Sequence, residues 1–234
     1  MVNWRNHKII DSLVLTVIVS GHKISQMMKN MQWFNEPKDW KIVGDSSLSM
    51  SVTPRTDYWR KTHYGYTVDD GPFLYSNIGG EFEIQVKITG AYKSRFDQMG
   101  IMIRKDETSW IKAGVEFVND RLNLSTVVTH EYSDWSVIEL MQKPQAIWLK
   151  AIRRMDAIEI KYSFDNVNFA MMRLAYFPEN TSVMVGLMAA SPDGDGFNAM
   201  FEDFSIKYLP DLKRDKWLEH MFLCLFHLHN ITVF

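Results

Sequence analysis

The chain carries one cysteine, Cys224, in 234 residues, so an intramolecular disulfide and a cysteine-based metal cluster are both excluded. Neither sign of charge is in excess. Lys and Arg number 26 against 28 Asp and Glu, a formal net charge of −2, and without a basic face the chain is not a general nucleic-acid binder. No stretch reaches the about 18 consecutive apolar residues that a membrane-spanning helix needs. The signatures of common catalysts are missing too: there is no Gly-rich phosphate loop, no Gly-x-Ser-x-Gly elbow and no dinucleotide fingerprint. Between residues 31 and 209 the only histidines are His63 and His130, too few for a zinc site, so no metal and no cofactor are expected. Asp193-Gly194-Asp195-Gly196 resembles the start of a calcium loop, but the twelfth position from Asp193 is Phe204, where an EF-hand requires Glu. A tight turn accounts for it.

What is present is apolar and aromatic. Hydrophobic residues make up 46% of the chain, with 14 Phe, 9 Tyr and 8 Trp, enough to bury a core without staples. Three zones differ in character. Residues 1–30 form an N-terminal extension in which Arg5 and Lys8 precede an apolar run from Leu13 to Val19 and a small-residue pair, Ser20-Gly21. Those are the parts of a weak secretory leader, interrupted by Asp11. Residues 210–234 form a tail in which Trp217, Leu218, Met221, Phe222 and Leu225 fall on one face of a short amphipathic helix.

The body, residues 31–209, alternates apolar and polar residues as half-buried strands do. Phe82, Ile84, Val86 and Ile88 share one parity against Glu83, Gln85, Lys87 and Thr89. The pattern returns at Ile158, Ile160, Tyr162 and Phe164, and at Leu122, Leu124, Thr126 and Val128. Turn chemistry separates the strands at Asp69-Asp70-Gly71-Pro72, Gly79-Gly80, Asn119-Asp120 and Asp165-Asn166. Many antiparallel strands at such spacing predict an all-β sandwich or jelly roll.

Several words of the body are specific: Trp33-Phe34-Asn35-Glu36-Pro37, Thr56-Asp57-Tyr58-Trp59-Arg60, Phe96-Asp97-Gln98-Met99-Gly100, Trp110-Ile111-Lys112-Ala113-Gly114-Val115-Glu116, Tyr132-Ser133-Asp134-Trp135 and Met172-Arg173-Leu174-Ala175-Tyr176-Phe177-Pro178. In these the chain resembles the regulation-of-enolase protein family. The resemblance implies a concanavalin A-like jelly-roll β-sandwich, an intracellular setting and a link to glycolytic metabolism. It supplies no catalytic residues. Cytoplasmic localisation is therefore expected, with secretion as the alternative if the leader is used. In that case the triplets at Asn123, Asn180 and Asn230 would become glycosylation acceptors.

Parity turns the Trp110 to Glu116 word into an expectation. Trp110, Lys112 and Glu116 face away from Ile111, Ala113 and Val115, and Gln98 and Arg104 belong beside them on the preceding strand. That face is expected to be polar and open, and either a solvated surface with cross-strand ion pairs or a sugar site. Trp59, Arg60 and His63 lie in a broken segment that either walls a pocket or plugs the end of the core. Asp134, Trp135 and Arg173 complete the candidate set, with Asp97 as a neighbouring carboxylate. The expected function is a non-catalytic binding or regulatory domain for a small carbohydrate or sugar phosphate. Two alternatives stand beside it: a hydrolase pairing Glu116 with Asp97 or Asp134, and a module with a protein partner.

Overall fold

A computed structural model describes residues 28–179 and 182–211. The leader before residue 28, the helix expected after Asp211 and the triplets at Asn180 and Asn230 lie outside the described residues.

Alternating apolar residues pair their backbones into two sheets of seven antiparallel strands each. The first runs, edge to edge, β1 (Gln32–Phe34), β6 (Phe73–Ile78), β15 (Val183–Ala190), β8 (Gln98–Arg104), β9 (Ser109–Val118), β10 (Arg121–His130) and β11 (Tyr132–Glu139). The second runs β14 (Ala170–Tyr176), β13 (Ala157–Ser163), β12 (Ile147–Arg154), β7 (Phe82–Gly90), β16 (Asn198–Tyr208), β3 (Ser47–Ser51) and β2 (Trp40–Val43). Successive strands often change sheet, as β6, β7 and β8 do, which gives a jelly-roll sandwich. A separate hairpin of β4 (Tyr58–Arg60) and β5 (Thr67–Asp69) stands outside both sheets.

The core lies where the parity reading puts it. Phe82, Ile84, Val86 and Ile88 are each at most 2% exposed, and they pack with Ile101, Ile103, Ile111, Val115, Leu124 and Leu187 of the facing sheet. Burying a side chain of this size stabilises by about 1.5–3 kcal/mol, so the sandwich needs no disulfide. The β9–β10 turn is Asn119-Asp120 with φ of 52° and 58°, the left-handed pair that matches strand twist in a two-residue hairpin. One alternation ends early: β13 stops at Ser163, which is buried, and Phe164 is exposed. The Ser163 hydroxyl bonds the Asp165 carboxylate, and that carboxylate accepts from the backbone N–H groups of Val167 and Asn168, so turn chemistry overrides the strand pattern there. Asn123 is buried in β10 and donates to the carbonyls of Val118 and Arg121. Its triplet is therefore closed in the folded domain.

The outer face of the first sheet is not open. Met102, Trp110, Val127 and Met188 on that face are covered by Tyr58 and Trp59 of the hairpin, forming a second apolar cluster distinct from the core. No described helix is long and apolar enough to cross a membrane.

Candidate functional site: a roofed cleft on the first sheet

Lys112 and Glu116 do point outward from the sheet, as parity requires, but the β4–β5 hairpin roofs that face and leaves them 5% and 6% exposed. The expected open polar face is thus corrected to an internal one. A buried ammonium needs partners, and Lys112 has three: the Tyr58 carbonyl at 2.7 Å, Gln98 Oε1 at 2.7 Å and Asp57 Oδ1 at 3.3 Å. All three of its N–H donors are spent within the protein. At the other root of the hairpin, Arg104 grips Asp69 through two bonds of 2.6 Å and lies over the Phe34 ring. Tyr58 sits between these clasps, fully buried, with its hydroxyl on the Gly71 carbonyl and its ring edge-on to Trp110.

Beyond the hairpin root, a cleft of about 240 Å³ remains between the roof and the sheet. Trp59, Tyr64 and Tyr66 from the hairpin form one wall, and Phe96 and Trp135 another. Asp57, Gln98, Lys112 and Glu116 line it together with Arg95 and Asp193, which are exposed. Glu116 is held by Ser125 Oγ at 2.6 Å and Trp135 Nε1 at 2.9 Å, both donating to Oε2.

Five of the twelve candidate residues therefore line this cleft: Trp59, Gln98, Lys112, Glu116 and Trp135. The others do not. Trp110 is buried under Tyr58, and Arg104 is consumed by Asp69. Asp97 is fully buried on the opposite parity from Gln98, where it accepts from the Lys93 and Ser94 backbone N–H groups and from Ser191. Arg60 pairs with Glu131 outside the roof, and His63 sits exposed at the hairpin tip with φ of 62°. Asp134 and Arg173 pair with each other at the sandwich edge. Neither Asp97 nor Asp134 joins Glu116 in the cleft. Sequence reasoning missed Asp57, Tyr64, Tyr66, Arg95, Phe96 and Asp193, because each lies in irregular backbone with no periodic signal. Among the described residues no group of His, Cys, Asp and Glu could hold a metal ion.

Burial pushes the Glu116 carboxyl above its ordinary value of 4.5, against Lys112 and the bonds from Ser125 and Trp135, and the Asp57 charge adds to the rise. A raised folded pKa means that the contribution of this carboxyl to stability is whole below the unfolded value and is lost as pH climbs through the folded one. Glu116→Gln is uncharged throughout. The stability of wild type relative to this variant should therefore fall as pH rises from the ordinary carboxyl value through the raised one, read from urea unfolding at each pH. A difference that stays flat or rises would contradict the assignment.

Comparison with known proteins adds four findings. Residues 33–209 match the family described as "Protein of unknown function (DUF1349)". "Regulation of enolase protein 1" of Saccharomyces cerevisiae is 35% identical over 175 residues, 74% of this chain and 87% of that protein. A solved structure of a functionally unknown protein from Saccharomyces cerevisiae superposes with a TM-score of 0.75 at 33% identity, covering 78% of this chain and 98% of that one. A mutant of the GH43 protein BlXynB from Bacillus licheniformis has a TM-score of 0.60 at 14% identity, over 77% of this chain and 37% of that one, a likeness of fold alone.

Proposed function

Because the chain belongs to the DUF1349 family, together with the yeast regulation of enolase protein 1, we propose that it is a non-catalytic binding domain whose roofed cleft takes a small sugar. The observation that carries this reading is the lining: aromatic rings on two walls and carboxylates at the floor. An aromatic ring packs on the apolar face of a pyranose, and a few fixed polar groups then orient its hydroxyls. The cleft's volume suits a ligand of one ring. The enolase in the yeast relative's name belongs to that relative. For this chain we propose a regulatory role in carbohydrate metabolism, with sugar occupancy as the signal.

Tyr64 and Tyr66 make the cleanest test, since they are 48% and 45% exposed and their loss should change stability by less than about 0.5 kcal/mol. Calorimetric titration of monosaccharides and their phosphates should find a binder. Removing both tyrosines should weaken binding by about 1 kcal/mol or more, roughly fivefold or greater. Unaltered affinity in that variant would contradict the reading.

A protein-docking module is supported by a different observation. Tyr132 and Ile138 on β11 and Leu174 and Tyr176 on β14 are each more than half exposed. These are the edge strands of the two sheets, and the Arg173–Asp134 pair links them. An apolar rim beside unpaired strand edges is the kind of surface a partner strand can extend.

A further inference from the structure

The hydrogen-bond inventory of the cleft floor is one-sided. Lys112 has given its three protons to Tyr58, Gln98 and Asp57. The Gln98 amide donates to Asp57 Oδ1 at 3.3 Å and to the Phe96 carbonyl at 3.2 Å, which uses both of its N–H bonds. Trp135 Nε1 and Ser125 Oγ are turned onto Glu116, and Trp59 Nε1 onto the Thr62 carbonyl. The acceptors are in surplus. Glu116 Oε1 and Asp57 Oδ2 take no bond from any described residue, although Glu116 is only 6% exposed.

Neither oxygen is sealed from solvent, since neither is among the described buried side-chain atoms without a partner, and in a narrow cleft a ligand group that donates to such an oxygen is favoured. A phosphate or carboxylate is all acceptor near neutral pH and meets the same charge as its own. Arg95 is the lining cation not engaged with a described carboxylate, but it is exposed, lies over the Phe96 ring at 4.3 Å, and shares the mouth with Asp193.

Resting on the sugar reading above, we infer that the cleft selects an unphosphorylated sugar, which enters as a hydrogen-bond donor with its hydroxyls on Glu116 Oε1 and Asp57 Oδ2. The aromatic walls hold the ring and the floor counts its O–H groups. A phosphorylated sugar has lost one such donor and gained a dianion, and the floor has no spare proton to offer it.

Matched pairs test this by calorimetry on the full chain: glucose against glucose 6-phosphate, galactose against galactose 1-phosphate, with inorganic phosphate as a further titrant. The free sugar of at least one pair should bind about tenfold or more tightly than its phosphate, and inorganic phosphate should neither bind nor compete. Glu116→Gln, which replaces one acceptor oxygen by an amide donor, should narrow that preference while the variant still unfolds cooperatively. If the phosphate ester binds as well as the free sugar or better, the donor inference falls and the sugar reading stands. If no sugar of either kind binds, both fall.

Discussion

Replacing Lys112 by methionine is expected to lower the unfolding free energy by about 3 kcal/mol. The side chain is 7% exposed, and its ammonium satisfies the Asp57 carboxylate, the Tyr58 carbonyl and the Gln98 amide oxygen at once. Methionine keeps most of the stem and fills similar volume, so the cost isolates the head group. Removing one partner of a buried charge pair leaves the other charge and its acceptors dehydrated and unpaired, which costs more than the pair itself contributes. Urea unfolding of wild type and variant measures it. A loss below about 1 kcal/mol would mean that the hairpin is not clasped through this residue. The same chemistry makes Lys112 a poor probe of ligand binding, because its substitution disturbs the roof before it disturbs any ligand.

Asp69→Ala is expected to cost as much, about 3–5 kcal/mol, by stranding the Arg104 guanidinium. Arg104 is 4% exposed and already carries one buried nitrogen, Nε, without a partner, so the two bonds to Asp69 are what compensates its burial. Asp134→Ala is the control. The Asp134–Arg173 pair is 68% and 32% exposed, and such a pair contributes about 0–1 kcal/mol. Equal losses at Asp69 and Asp134 would contradict the distinction between a buried clasp and a surface contact. With the Lys112 result, the two substitutions bracket the hairpin, since Tyr58 and Asp69 are opposite residues at its root.

Strand parity was legible because a buried sheet face leaves a period of two in the sequence. Phe82 to Ile88, the pairing of β8 with β9, and the outward turn of Lys112 and Glu116 all follow from it. The roof was not legible. Tyr58 to Asp69 forms two three-residue strands around a turn with left-handed residues at Lys61, His63 and Gly65, too short and irregular to show a period. Without the roof, Trp110 reads as exposed and Arg104 as a ligand contact. Both are instead packing and clasp residues beneath Tyr58. Asp97 was misplaced for a different reason: its carboxylate closes a turn by accepting from the backbone N–H groups of Lys93 and Ser94, and backbone donors leave no mark in residue type. Its neighbour Gln98, one residue on, faces the cleft.

The proposed ligand site is the space between the hairpin and the first sheet. The most direct measurement is the indole N–H spectrum of the ¹⁵N-labelled protein, with each of the 8 Trp assigned by single Trp→Phe substitution, during titration with the binding monosaccharide. Trp59 and Trp135 line the cleft, whereas Trp148 lies beside Lys87 on the second sheet and Trp33 on edge strand β1. Saturable shifts are expected at Trp59 and Trp135, with Trp148 and Trp33 unmoved. Saturable binding that leaves Trp59 and Trp135 unmoved, or shifts Trp148 in their place, would contradict it.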